Sequence, residues 1–253
     1  MPLEIVTVPC LSDNYAFLVH DAASGATALV DAPEAAPIQA ELDRRGWRLS
    51  QILITHHHGD HIAGIDALRS GATVIGNAAD AARLPPLDHA VGDGDSFDVA
   101  GHAVHVMDVS GHTIGHLAFH IPDAGAVFTA DSLMALGCGR LFEGSATQMW
   151  ASLSKLAALP DDTLVCSGHE YTAANARFAL TIEPGNPDLQ ARAKATEAAN
   201  AAGRPTVPST LADEKATNPF LRAALPEVKA AIDMTGAADV DVFAEIRRRK
   251  DTF

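Results

Sequence analysis

Cysteine is scarce in this chain, and the three present, Cys10, Cys138 and Cys166, are odd in number, far apart and without a Cys-x-x-Cys pair. Neither a disulfide framework nor a thiolate-bound metal is expected. No apolar run approaches the roughly 20 residues of a membrane span, and the opening Met1-Pro2-Leu3-Glu4 lacks the basic stretch and apolar core of a secretory leader. A cytoplasmic protein with no membrane partner is the expectation. Basic residues are also few: 18 Lys and Arg stand against 32 Asp and Glu, a net charge of -14. Such a chain repels nucleic acid and anionic lipid, so nucleic acid is not expected as a partner, whereas a local basic pocket can still take a small anion. There is no Gly-x-Ser-x-Gly elbow, no internal repeat and no low-complexity linker. A serine nucleophile of the hydrolase-elbow type is therefore excluded.

With 253 residues and 47% hydrophobic content, the chain can bury a core in one large domain, or in one domain with a smaller appendage. Its densest chemistry is Thr55-His56-His57-His58-Gly59-Asp60-His61, directly after the apolar Ile52-Leu53-Ile54. Imidazole and carboxylate together suit zinc and neighbouring first-row cations. The internal position of the run and its Asp60-His61 ending argue against a solvated tract or a tag. If residues 52–55 form a buried strand, alternation turns His56 and His58 to one side and His57 to the other. Asp60 and His61 then open a helix carrying Ile62, Ile65 and Leu68 at helical spacing, and approach a second ion from another direction. Two adjacent cations and hydrolytic chemistry are the expectation.

Seven residues cannot close two sites, and three later positions repeat one pattern. His112 lies in Ser110-Gly111-His112-Thr113-Ile114-Gly115-His116 after an apolar run, Asp131 follows Ala126-Val127-Phe128-Thr129-Ala130, and His169 follows Thr163-Leu164-Val165-Cys166-Ser167-Gly168. Delivery of polar groups from strand ends is the mark of an α/β active site. His57 and His116 are read as hydrogen-bonded neighbours of the ligands, and His20, His89, His102, His105 and His120 as ordinary surface or core residues.

Strands are expected over residues 3–8, 15–19, 27–30, 73–75, 103–109 and 117–121, with a helix over 37–45, a grouping that favours a layered α/β sandwich. From about Tyr171 the composition turns alanine-rich, with helices expected over 173–180 and 189–202 and turns at Glu183-Pro184-Gly185-Asn186-Pro187 and Gly203-Arg204-Pro205. Arg247-Arg248-Arg249-Lys250 closes a further helix, where cations complement the helix dipole without any ligand. Helical spacing puts Arg247 and Lys250 on one face and turns Arg248 and Arg249 toward solvent.

The ordered set resembles the metallo-β-lactamase superfamily, whose His-x-His-x-Asp-His signature is matched by His56, His58, Asp60 and His61, and whose later ligands are matched by His112, Asp131 and His169. The resemblance implies two divalent metal ions, zinc first, with iron or manganese as alternatives. His56, His58 and His112 would hold one ion, Asp60, His61 and His169 the other, and Asp131 would bridge them. It also implies an α/β fold, a four-layer αββα sandwich of two mixed sheets flanked by helices, followed by a small C-terminal α-helical domain. The catalytic domain is placed at 1–170 and the helical domain at 171–253.

Four further stretches resemble the hydroxyacylglutathione hydrolase (glyoxalase II) family: Gly137-Cys138-Gly139-Arg140-Leu141-Phe142-Glu143-Gly144, Gly168-His169-Glu170-Tyr171-Thr172, Asn218-Pro219-Phe220-Leu221-Arg222 and the terminal run from Phe243 to Phe253. This resemblance implies a thioester hydrolase; a monomer is expected. It would convert S-(2-hydroxyacyl)glutathione, usually S-D-lactoylglutathione, to a 2-hydroxy acid such as D-lactate and free glutathione. Asp60 and Asp131 would belong to the catalytic machinery, while Arg140, Tyr171, Arg247 and Lys250 would hold glutathione, whose two carboxylates favour charge-assisted hydrogen bonds. Gly59, Ala130 and Phe142 depart from the family pattern. Phe142 lacks the hydroxyl that many relatives carry there, a loss on the order of 0.5 to 1.5 kcal/mol. Two other readings are a glutathione persulfide dioxygenase with a single iron, disfavoured by the full second-metal set and the basic tail, and a non-catalytic metal-binding protein, disfavoured by the completeness of the ligand set.

Overall fold

The N-terminal strands are short, apolar and separated by tight turns, and they pair in chain order. In a computed structural model, which describes residues 3–253, β1 (Glu4–Cys10) runs antiparallel to β2 (Asn14–His20), and β2 antiparallel to β3 (Ala26–Val30). Met1 and Pro2, which open the stretch read as lacking a leader, lie outside the described residues. Helix α1 (Ala35–Arg45) carries the chain back, so that β4 (Arg48–Leu53) lies parallel to β3; β5 (Thr73–Asn77) and β6 (His89–Val91) add in the same sense. A six-stranded mixed sheet results. Ile38 and Leu42 of α1 are buried with Leu18, Leu29 and Ile52 in one cluster, each such side chain contributing about 1.5–3 kcal/mol. Strands β7 (Ser96–Val99), β8 (His102–Asp108), β9 (Leu117–Ile121) and β10 (Ala126–Ala130) form an antiparallel array. Phe17 of β2 and Phe128 of β10 meet edge to face with ring centroids 5.6 Å apart, so the two sets of strands share a core. These elements make one compact unit, Met1–Asp108 with Ile114–Ala130, and Val109–Thr113 with Asp131–Phe253 makes another.

Two expectations change in the first unit. The strand before the histidine run stops at Leu53, and residues 54–58 form a loop, so alternation does not orient the histidines. The loop is still pinned as a strand would be: Ile54 N donates to Ile75 O at 2.8 Å, and Thr55 O accepts from Leu117 N at 2.9 Å. The single helix expected through Leu68 is two separate turns, α2 (Gly59–Ile62) and α3 (Ile65–Leu68). Gly64 divides them. Its N–H donates to Ala32 O at 2.8 Å, and a Cβ on it would lie 2.8 Å from Ala35 N, so any side chain there would force the segment after β3 to shift.

The second unit opens with a hairpin, β11 (Leu133–Met134) and β12 (Gly137–Cys138), followed by α4 (Ala146–Ala157), whose Ser145 and Gln148 form a reciprocal capping box. After β13 (Leu164–Ser167) come α5 (Thr172–Ile182), α6 (Pro187–Ala201), the short β14 (Ser209–Thr210), α7 (Leu211–Thr217), α8 (Pro226–Ala231) and α9 (Asp239–Asp251). Asn186 caps α6 and Pro187 opens it, as the turn signal predicts. Ala176, Ala179, Leu189 and Ala193 pack α5 against α6. Glu214 of α7 is fully buried. It accepts from Leu136 N (2.9 Å), Asn218 Nδ2 (3.0 Å), Ser209 Oγ (2.6 Å) and the Arg192 guanidinium. Asn218 Nδ2 also donates to Met134 O (3.1 Å) and Gly137 O (2.9 Å), tying α7 to the hairpin. Among the described residues, no helix is long and apolar enough to cross a membrane.

Candidate functional site

Three parallel strands of the first unit end side by side, and polar residues follow each end. Asp31 follows β3, Thr55 and His56 come after β4, and Asp80 lies just past β5. Thr55 N donates to Asp31 Oδ1 at 2.9 Å, and Thr55 Oγ1 donates to Asp31 Oδ2 at 2.7 Å. With that hydroxyl proton committed, the 3.0 Å contact from His56 Nδ1 to Thr55 Oγ1 is a donation by the imidazole. His61 Nδ1 donates to the same Asp31 Oδ2 at 2.7 Å. One carboxylate thus sets the tautomer of both rings and leaves each Nε2 as a lone pair. Asp31 also lies within ligand range of His56 and His61, but its oxygens accept these hydrogen bonds and so orient the rings. His56 and His61 are buried with ring centroids 4.2 Å apart, and His58 lies 4.7 Å from His56. Asn14 Nδ2 holds Asp60 through its Oδ2 (3.1 Å) and its carbonyl (3.0 Å).

Neither Asp31 nor Asn14 stands out in the sequence as a site residue. The strand-end pattern that selects Asp131 also describes Asp31, which follows a predicted strand; Asn14 carries no comparable signal. His57 turns from its neighbours toward Asp80 Oδ2 (3.2 Å) and receives Arg83 Nη1 at its Nε2 (3.3 Å). His116 stacks on His56 at 4.5 Å and donates from Nδ1 to Leu117 O.

The second unit holds a matching cluster of buried His112, Asp131 and His169. His112 Nδ1 donates to Arg140 O at 2.8 Å, which leaves its Nε2 an acceptor. That Nε2 faces Asp131 Oδ2 at 3.4 Å, while Asp131 Oδ1 faces His169 Nε2 at 3.3 Å. A lone pair against a carboxylate oxygen at this distance is repulsive unless a cation or proton lies between them. The donor set therefore fits divalent metal, with one carboxylate oxygen turned toward each imidazole. Gly139 makes the closeness attainable, because a Cβ there would fall 1.9 Å from Asp131 O and 3.0 Å from His112 Nδ1.

The basic residues gather in the same unit. Asp251 pairs with Arg247 Nη2 at 2.8 Å and lies 3.7 Å from Arg140 Nε. Arg140 is exposed, whereas Arg247 is 6% exposed and donates from Nη1 to Cys138 O at 3.0 Å. Lys250 is half-buried between the Phe178 and Phe253 rings, and burial, then the charges of Arg247 and Arg177, push its pKa below the usual lysine value. Arg248 is exposed and pairs with Glu245, as does Arg249. Tyr171 stacks on His169 at 4.6 Å with its outer edge in solvent. Phe142, where a hydroxyl is lacking, packs edge-on to His112 at 5.2 Å. Burial raises the Cys138 thiol to about 11, so it is no nucleophile near neutrality.

Comparison with known proteins gives these clusters a family. Residues 12–169 match the model of the metallo-beta-lactamase superfamily, and residues 170–253 match that of the hydroxyacylglutathione hydrolase C-terminus. The chain is 69% identical to a hydroxyacylglutathione hydrolase of Ruegeria pomeroyi and 66% identical to one of Roseobacter denitrificans, in each case over 100% of both chains. It belongs to the hydroxyacylglutathione hydrolase family. In this chain the seven His and Asp residues fall within the superfamily match, and Tyr171, Arg247 and Lys250 fall within the C-terminal match. The crystal structure of BLEG-1 B3 metallo-beta-lactamase, at 21% identity, superposes with a TM-score of 0.67 over 86% of this chain and 99% of that one, which agrees with the α/β fold of the superfamily.

Proposed function

We propose that the protein hydrolyses S-(2-hydroxyacyl)glutathione thioesters, S-D-lactoylglutathione foremost, to the 2-hydroxy acid and free glutathione. The observation that carries this reading is Asp131, which offers one oxygen to each of two imidazoles in a chain matched end to end by hydroxyacylglutathione hydrolases. His56, His58 and His112 are proposed to hold one divalent cation, and Asp60, His61 and His169 the other, with Asp131 shared. Zinc is the first candidate. When bound, such a pair supplies a Lewis acid for the acyl carbonyl and lowers the pKa of the attacking water.

The protein's own groups do the rest. Asp31 keeps the Nε2 lone pairs of His56 and His61 available for metal through the Nδ1 hydrogen bonds described above. Asp60, steadied by Asn14, accepts a proton of the attacking water and orients its lone pair toward the acyl carbon. The water oxygen adds there, the C–S bond breaks with its electron pair on sulfur, and the water proton balances the departing thiolate. Arg140 and Lys250 receive the glutathione carboxylates and Tyr171 lines the approach beside His169, while Arg247, expected from the sequence to hold glutathione, directs Nη1 to Cys138 O and Nη2 to Asp251 and adds positive potential. Residues 1–170 are taken as the catalytic part and 171–253 as the part that selects glutathione.

The test is hydrolysis of S-D-lactoylglutathione by purified protein, with metal analysis of the same sample. Two equivalents of divalent metal and chelator-sensitive release of glutathione are expected; a metal-free protein without thioesterase activity overturns the reading. Lys250→Ala should raise KM several-fold with metal content unchanged.

A further inference from the structure

Arg247 directs its hydrogen bonds into the protein. Nη1 grips the Cys138 carbonyl at 3.0 Å, Nη2 pairs with Asp251 at 2.8 Å, and the guanidinium lies 5.2 Å from the centroid of Phe220. The carbonyl it grips begins a strap of three residues. In the middle, Gly139 donates its N–H to Ser132 O at 3.1 Å and is wedged so tightly that a Cβ would meet Asp131 O at 1.9 Å. At the far end, the Arg140 carbonyl accepts Nδ1–H of His112 at 2.8 Å, while the Arg140 side chain points back to Asp251. Carbonyls on either side of Gly139 are therefore fixed by different groups, one by the terminal helix and the other by the imidazole.

We propose that Arg247 and Asp251 are positioning residues for His112, acting through the 138–140 strap, so that the terminal helix helps set how tightly metal is held. This rests on the reading of His112 as a metal ligand. Gly139 lies tight against Asp131 O and His112 Nδ1, with its N–H held by Ser132 O, so a shift of the Cys138 carbonyl is passed along the packed strap to the Arg140 carbonyl and the His112 ring. Lengthening the bond from His112 Nδ1 frees the ring to turn and lowers the basicity of Nε2. The coupling is reciprocal. A substrate carboxylate that draws the Arg140 side chain from Asp251 changes metal affinity, and metal occupancy changes substrate affinity by the same factor.

The experiment is zinc extraction from the holoenzyme by a competing chelator, in the wild type and in Arg247→Met, Asp251→Asn and the exposed control Arg248→Met. Arg247→Met should lose one of two zinc ions about tenfold more readily, at the low end of the effect expected for a group that acts through a ligand's partner. Asp251→Asn should shift the same way by less, and Arg248→Met not at all. Cobalt-substituted Arg247→Met should show a changed ligand-field spectrum, which a purely structural loss of stability would not produce. Asp251→Asn carries the test if Arg247→Met does not fold. Unchanged zinc affinity in both variants, with normal hydrolysis by a two-zinc wild type, overturns this proposal alone, even if KM rises. A wild type that binds no metal overturns it together with the proposed function.

Discussion

Asp31 shows how one side chain can govern several ligands. Its two oxygens hold Thr55 and His61 directly and His56 through the Thr55 hydroxyl. Asp31→Asn keeps the shape but turns an amide donor toward groups that already donate. Metal affinity should fall about 10- to 100-fold, with a loss of about 1–3 kcal/mol in stability; chelator competition and urea unfolding measure the two. Full metal affinity in the variant would remove Asp31 from this role. The cysteines make a second prediction. Burial raises Cys10 and Cys138 from 9.0 to about 11, so the folded protein retains protons that the unfolded chain releases between about pH 9 and 11. Stability should therefore decline as pH rises through that window. The thiols should resist alkylation at about pH 8 until the protein is unfolded. Labelling of Cys138 in the native state would contradict its burial. At this scale the sequence was informative where residue type and spacing carry chemistry, as at His56 or His61. It was silent at Asn14, whose hydrogen bonds to Asp60 span 46 positions along the chain.

Among the elements, apolar runs locate the strands well: the run read at 27–30 becomes Ala26–Val30, and that at 117–121 becomes Leu117–Ile121. Ends and breaks are less legible because they depend on what lies alongside. Ile54 continues the apolar run yet leaves the strand. Gly64 sits inside a helical apolar pattern but separates two helical turns, because the backbone at Ala32 and Ala35 crosses it. Gly64→Ala should cost about 1–3 kcal/mol through overpacking, read as a lower melting temperature, and the turn carrying Asp60 and His61 should loosen with it. Equal stability would show that the crossing has room to give. In the terminal helix, spacing separated Arg247 and Lys250 from the solvent-facing Arg248, but it could not reveal that Arg247 is held by the Cys138 carbonyl, 109 positions away.

Across the whole molecule, a protein of net charge -14 that takes an anion must do so through a local field. Charges beyond a Debye length of about 8 Å at physiological ionic strength are screened, so the repulsive bulk is muted, but contacts with exposed Arg140 also weaken as salt rises. KM for S-D-lactoylglutathione should rise with added salt while kcat holds steady, and Lys250→Ala should flatten that dependence. An equal effect of salt on a neutral thioester would refute the electrostatic account. The Glu214 and Asn218 contacts have a consequence for how this chain can be divided. The two family matches join between residues 169 and 170, but these side chains fasten α7 to Leu136 N, Met134 O and Gly137 O on the far side of that join. The family matches and the compact units therefore divide the chain at different places. A gene fragment encoding only the tail would bury a carboxylate with part of its hydrogen bonding gone, and any recombination that exchanged tails between relatives would have to carry the hairpin with it.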